Sequence, residues 1–167
     1  ITAALACEPA VEAIVDALDL VHTHSMFFIG RGFGYPVALE GALKLKEISY
    51  IHAEGYPAGE LKHGPIAMLD PAIPVLAVAT PSPVHDKVLS NIEEVRARGA
   101  RTVVIAAPGD AASAAVADHL IVVPAVREEL AALVDVVPVQ LLSYHAAIAR
   151  GCDVDQPRNL AKSVTVE

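Results

Sequence analysis

The chain has 167 residues, of which 54% are hydrophobic but only 4% aromatic, with no tryptophan and a formal net charge of −8. That length can bury one core, and the core has to be built from Ala, Val, Leu and Ile, as in a parallel sheet wrapped by helices. No basic cluster stands out, which argues against nucleic acid as a partner, and two cysteines, Cys7 and Cys152, are too few for a disulfide framework and suit a reducing cytoplasm.

Pro9 to His24 carries Val11, Ile14, Val15, Leu18 and Val21 at helical spacing, with Pro9 tolerable in a first turn. Met26-Phe27-Phe28-Ile29 reads as a buried strand entering the glycine loop Gly30-Arg31-Gly32-Phe33-Gly34. A helix from Leu39 to Tyr50 follows, with Leu39, Ala42, Leu43 and Ile48 as its apolar stripe. His52 to Pro57 is irregular or briefly extended, and Gly59 to Leu69 is a short helix or turn broken at Gly64-Pro65. Ile73–Thr80, Thr102–Ala107 and His119–Val123 are further strands. Val84–Arg98, ended by Gly99, and Ala111–Ala117 are helices, and Glu128–Arg150 is a long apolar helix with a kink expected at Pro138.

Strands alternating with helices predict an α/β domain with a parallel sheet and right-handed crossovers, and a binding site at the carboxyl ends of the strands. The glycine loop stands at such an end. Its third glycine falls one position too early for the dinucleotide pattern, so it serves either a small ligand or simply a tight turn. No apolar run reaches membrane-spanning length, and no signal-peptide pattern opens the chain, so the expected location is the cytoplasm. Ile1 is no initiator, and the expectation is a piece of a longer protein. The polar tail from Asp153 to Glu167 reads by default as a frayed terminus.

Chemistry concentrates on the helix from Leu39 to Tyr50. Glu40, Lys44 and Glu47 follow one another at four and three residues and so share a face. If that face lines a cleft, Glu47 is a candidate general base and Lys44 can tune it or neutralise a developing oxyanion. If it faces water, the three are an ordinary charge ladder. Lys46 is expected to point elsewhere. His63, on a segment of poor core material, is a candidate acid or base. Of the other histidines, His22, His24, His85, His119 and His145 receive no role. Lys162 matters only if the tail folds back, since a partly desolvated amine can capture a carbonyl as a Schiff base.

Gly30-Arg31-Gly32, Tyr35-Pro36, the helix just described, Ile51-His52-Ala53-Glu54 and Gly59-Glu60-Leu61-Lys62-His63-Gly64-Pro65 form one string, extended by Asn91–Gly99 and the tail. Over nearly the whole chain this string resembles the carboxyl-terminal end of the glutamine–fructose-6-phosphate aminotransferase family, the glucosamine-6-phosphate synthases. The resemblance implies a sugar isomerase (SIS) domain, a three-layer α/β/α sandwich with a five-stranded parallel sheet flanked by helices, flavodoxin-like in architecture. The elements above supply four strands, and the fifth is expected around Ala53–Tyr56.

The resemblance further implies that residues 1–167 are the second SIS subdomain of a longer, dimeric enzyme, with 152–167 as its active-site tail. On this footing Glu47 moves a proton between the first two carbons of fructose 6-phosphate on the way to glucosamine 6-phosphate. His63 assists sugar-ring opening in the neighbouring subunit's site, Lys162 forms the Schiff base, and Lys44 is a further active-site lysine. No metal or organic cofactor is implied. The family's glutaminase cysteine and the Ser/Thr-rich phosphate loop of its first SIS subdomain have no counterpart here: position 1 is Ile1, and Ser25, Ser49, Ser82, Ser90 and Ser113 are scattered. The chain alone is therefore expected to be nearly inactive. The alternative is a noncatalytic sugar-phosphate-binding SIS module, which would have no use for a Schiff-base lysine.

Overall fold

The computed structural model describes residues 1–159. Within them five strands, β1 (Ser25–Gly30), β2 (His52–Pro57), β3 (Val75–Val78), β4 (Thr102–Ala106) and β5 (His119–Val122), form one parallel sheet in the order β2-β1-β3-β4-β5. The helices are α1 (Glu8–Ala17), α2 (Gly34–Ser49), α3 (His85–Arg96), α4 (Ala111–Val116) and α5 (Glu128–Ala149).

Each central strand is apolar on both faces because helices cover both. Met26, Phe28, Leu76, Val78, Val103 and Ile105 pack with α1, α2 and α5 on one side. Phe27, Ile29, Val75, Ala77 and Val104 pack with α3, α4 and Leu61 on the other. The result is the expected three-layer α/β/α sandwich.

The fifth strand is β2, and it runs from His52, not only through Ala53–Tyr56. Its sequence, His-Ala-Glu-Gly-Tyr-Pro, lacks the apolar run of a central strand because it is an edge strand. α1 stops at Ala17 rather than His24: Asp19 takes a positive φ of 51° and breaks the helical path, although the apolar spacing continues to Val21. On α2 the buried face is Val37, Ala38, Gly41, Ala42, Leu45 and Ser49, whereas Leu39 and Leu43 of the expected stripe are 42% and 43% exposed. The segment after β2 forms two 3-10 turns, Ala58–His63 and Pro65–Met68, interrupted at Gly64.

α5 corrects another expectation. Its 22 residues include a window of mean hydropathy 1.4, long and apolar enough by composition to cross a membrane, yet it is a core helix packed between α1 and α2. It remains one helix through the buried Pro138. The glycine loop takes the tight-turn reading: a Cβ on Gly30 would come within 2.3 Å of the Gly34 carbonyl oxygen, and Gly32 has φ 52°.

Candidate active site

α2 begins beside the carboxyl end of β1 and ends where β2 begins, so its last two turns overhang the amino ends of the strands. His52, the first residue of β2, stands in register with Ser25, the first of β1. An open concavity of ≈460 Å³ lies there, lined by Lys46, Glu47, Tyr50, Ile51, His52, Arg158 and Asn159. Glu47 thus borders a hollow, but at the end of the sheet opposite to the one expected. Lys46, expected to point away, lines the same hollow.

Lys44 Nζ donates to Glu47 Oε2 at 2.6 Å, with the two side chains 34% and 27% exposed. The hydrogen bond to Glu47 is the main cause that holds the Lys44 pKa above its ordinary value, aided by the Glu47 and Glu40 charges. Lys44 is therefore an ammonium at neutral pH and cannot accept a proton. Of the pair, the carboxylate is the group able to act as a base, with the ammonium beside it to offset negative charge.

His63 is elsewhere. β2 carries the chain from the hollow to Pro57, on the order of 17 Å for six residues in a strand, and His63 closes the 3-10 turn beyond that far end. Its ring is 63% exposed, and Nε2 lies 3.9 Å from Glu60 Oε2. Glu47 and His63 of one chain therefore do not meet. Lys162 lies outside the described residues.

The usual ligand position of such a sheet, the crevice between the carboxyl ends of β1 and β3, is nearly filled. Arg31, Gly34, Val78, Thr80, Ser82 and Ala131 leave ≈10 Å³ there, about the room of one water. Asp135 of α5 is buried beside it, 2% exposed, and accepts from Thr80 Oγ1 at 2.7 Å. Burial raises its pKa from 3.8 to about 6, with the Thr80 hydrogen bond pulling the other way.

A Ser–His–Asp group sits between α3 and α4. His85 Nε2 lies 2.9 Å from Asp110 Oδ2, and Ser113 Oγ donates to the same oxygen at 2.7 Å. Ser113 is fully buried and its N–H is capped by Asp110, so the group ties two helix starts together and offers no nucleophile. Among the described residues no three His, Cys, Asp or Glu side chains gather as a metal-binding set.

Residues 19–150 match the family model of the SIS domain. The chain belongs to the SIS domain family. This SIS domain is 60% identical over 158 residues to the glutamine–fructose-6-phosphate aminotransferase [isomerizing] of Synechocystis, which covers 95% of the chain but 25% of the relative. The chain thus spans about a quarter of the length of the curated relatives it matches. Among solved structures, the C-terminal domain of glucosamine-fructose-6-phosphate aminotransferase from Francisella tularensis aligns with a TM-score of 0.84 and 42% identity, over 93% of this chain and 43% of that one. A glucosamine-6-phosphate deaminase from Thermotoga maritima aligns with a TM-score of 0.73 and 25% identity, over 95% of this chain and 46% of that one.

Sequence reasoning found the Lys44–Glu47 pair but missed what surrounds it. Tyr50 and Arg158 lay within the string that carries the resemblance but received no role, because a tyrosine after a helix and an arginine in a polar tail have many ordinary uses. Their contact joins residues 108 apart in the chain. Asp135 was hidden in an apolar helix, where a lone acid spaced like a core position (Ala131, Asp135, Val139) was the available signal.

Proposed function

We propose that this SIS domain is the second isomerase subdomain of a glutamine–fructose-6-phosphate aminotransferase, acting on fructose 6-phosphate to form glucosamine 6-phosphate. The observation that carries the reading is the Glu47 carboxylate held at 2.6 Å by an ammonium on the wall of an open hollow, with the folded-back tail on the same wall. The identity to aminotransferases over 95% of the chain supports the choice of reaction.

The Lys162 amine condenses with the sugar's C2 carbonyl and expels water, giving an imine that ammonia then displaces. The Glu47 carboxylate takes a proton from C1, the electron pair forms the C1=C2 bond, and the C=N pair moves to nitrogen, which takes up a proton to give an enolamine. The Glu47 proton then returns at C2 and the C1 hydroxyl releases its proton, replacing the one taken up at nitrogen and leaving the aldehyde of an amino sugar. Lys44 offsets the charge that develops next to Glu47, and His63 of a second copy assists ring opening. Two free cysteines, one of them buried, suit a reducing compartment such as the cytoplasm.

Borohydride reduction tests the reading, using fructose 6-phosphate and the longest polypeptide that contains this chain. Glu47→Gln lowers turnover by about 10²–10⁴-fold, the usual worth of a general base, while the reduced sugar adduct on Lys162 still accumulates. Wild-type turnover in Glu47→Gln, or labelling that survives Lys162→Ala, would overturn it. A wild type that binds the sugar phosphate yet neither turns over nor labels would favour the noncatalytic module.

A further inference from the structure

Beyond α5 the chain turns back on itself. Cys152 N–H donates to the Ala147 carbonyl at 2.9 Å and Gly151 has φ 67°, the pattern of a glycine-closed helix. Asp153 Oδ1 then accepts from the N–H groups of Asp155 and Gln156, both at 3.0 Å, which sets a second turn. Arg158 lands on Tyr50 and meets it twice. Its backbone N–H donates to Tyr50 Oη at 2.9 Å, and its guanidinium carbon lies 4.1 Å from the ring centroid. Tyr50 closes α2 with φ 61°, a left-handed conformation unfavourable for a bulky residue and normally given to glycine. The position keeps a tyrosine where the backbone asks for glycine, and the tyrosine side chain holds the tail.

The geometry points to a clasp: Tyr50 and Arg158 are positioning residues that dock the chain after α5 at the hollow bordered by Glu47. Asn159, next to the clasp, is part of that hollow's wall. Lys162 follows Asn159 by three residues, a length of chain that reaches at most ~11 Å. Measured from Gly151, eleven residues of free chain would allow on the order of 36–40 Å. Docking at Arg158 thus confines the amine to the neighbourhood of the base and raises its effective concentration there. The functional half of this inference rests on the proposed role of Lys162, while the docking itself rests on Tyr50 and Arg158 alone.

Two measurements test it. Amide hydrogen exchange on the 167-residue chain reads the docking: Tyr50→Phe keeps the ring, removes the acceptor, and speeds exchange at the Arg158 amide by about tenfold with α2 unchanged. Equal exchange in the two proteins overturns the clasp. Borohydride trapping with fructose 6-phosphate, in the longest polypeptide that contains the chain, reads its purpose. The double variant Tyr50→Phe/Arg158→Ala traps the sugar about tenfold more slowly at an unchanged melting temperature. Arg158→Lys, which keeps the backbone donor and a cation over the ring, recovers most of that loss. Wild-type trapping by the double variant overturns the positioning role. Absence of any adduct in the wild type sinks the Lys162 role instead, and the exchange result still decides the clasp.

Discussion

Asp135 shows at the scale of one residue how the crevice between β1 and β3 is held. Asp135 is 2% exposed and its carboxyl group accepts a hydrogen bond from the Thr80 hydroxyl, which fixes the chain leaving β3 against α5. The folded-state pKa of about 6 exceeds the ordinary 3.8, so the folded chain holds the carboxyl proton more tightly than the unfolded one. The contribution to stability is therefore fully present below 3.8 and is lost as pH rises through about 6. At ~1.4 kcal/mol per pH unit, the gap corresponds to at most ~3 kcal/mol at neutral pH. Asp135→Asn removes the buried charge and retains an acceptor for Thr80, against a cost of ~1–3 kcal/mol for an amide donor left without a partner. The stability difference between variant and wild type, followed by urea unfolding, is expected to shift in favour of the variant from pH 4 to pH 8. A difference that stays constant over that range would show that folding does not raise the Asp135 pKa.

At the scale of elements, α2 is where packing and chemistry share one helix. Gly41 faces the sheet, and a Cβ there would come within 2.8 Å of the Phe28 ring and 3.0 Å of Val139 Cβ, both fully buried. Neither can yield, so Gly41→Ala is expected to cost ~1–3 kcal/mol despite alanine's better helix propensity. A lowered urea midpoint at unchanged m-value would show this, and an unchanged or raised midpoint would contradict it. The close seating of α2 on β1 and α5 orients Lys44 and Glu47 on its outer side. The three central strands were legible in the sequence because burial on both faces forces unbroken apolar runs such as Val75–Val78 and Thr102–Ala106. β2 was hard to read for the opposite reason, since an edge strand with Glu54 and Gly55 answers to few neighbours. The end of α1 was overrun because the apolar spacing continues from Leu18 to Val21, while the left-handed Asp19 has no compositional mark. Of the site, the i, i+3 Lys44–Glu47 pair is local and readable, whereas the Tyr50–Arg158 contact is tertiary and is not.

At the scale of the whole molecule, the distribution of the candidate site residues over the two ends of the sheet sets the decisive experiment. Glu47 and its hollow lie at the amino end of β2, and His63 lies past its carboxyl end, on the order of 17 Å or more away. A single hexose phosphate is too small to touch both within one chain. If both act on one sugar, a second copy supplies one of them, and a closed twofold arrangement would build two equal sites, each from two chains. Glu47→Gln and His63→Ala are then each inactive alone, in the longest polypeptide that contains the chain. Mixed after dissociation, they pair at random, half of the dimers are mixed, and one of the two sites in each mixed dimer carries both native residues. Activity should therefore return to about a quarter of wild type. Because His63 is exposed and, among the described residues, is paired with Glu60 at 3.9 Å, its replacement should leave the melting temperature unchanged. Recovery of activity on mixing, with no recovery in either variant alone, is the signature of a site shared between chains. Failure to recover, with mixed dimers demonstrated by mass, would confine each site to one chain and remove His63 from it, since the sheet keeps His63 and Glu47 apart.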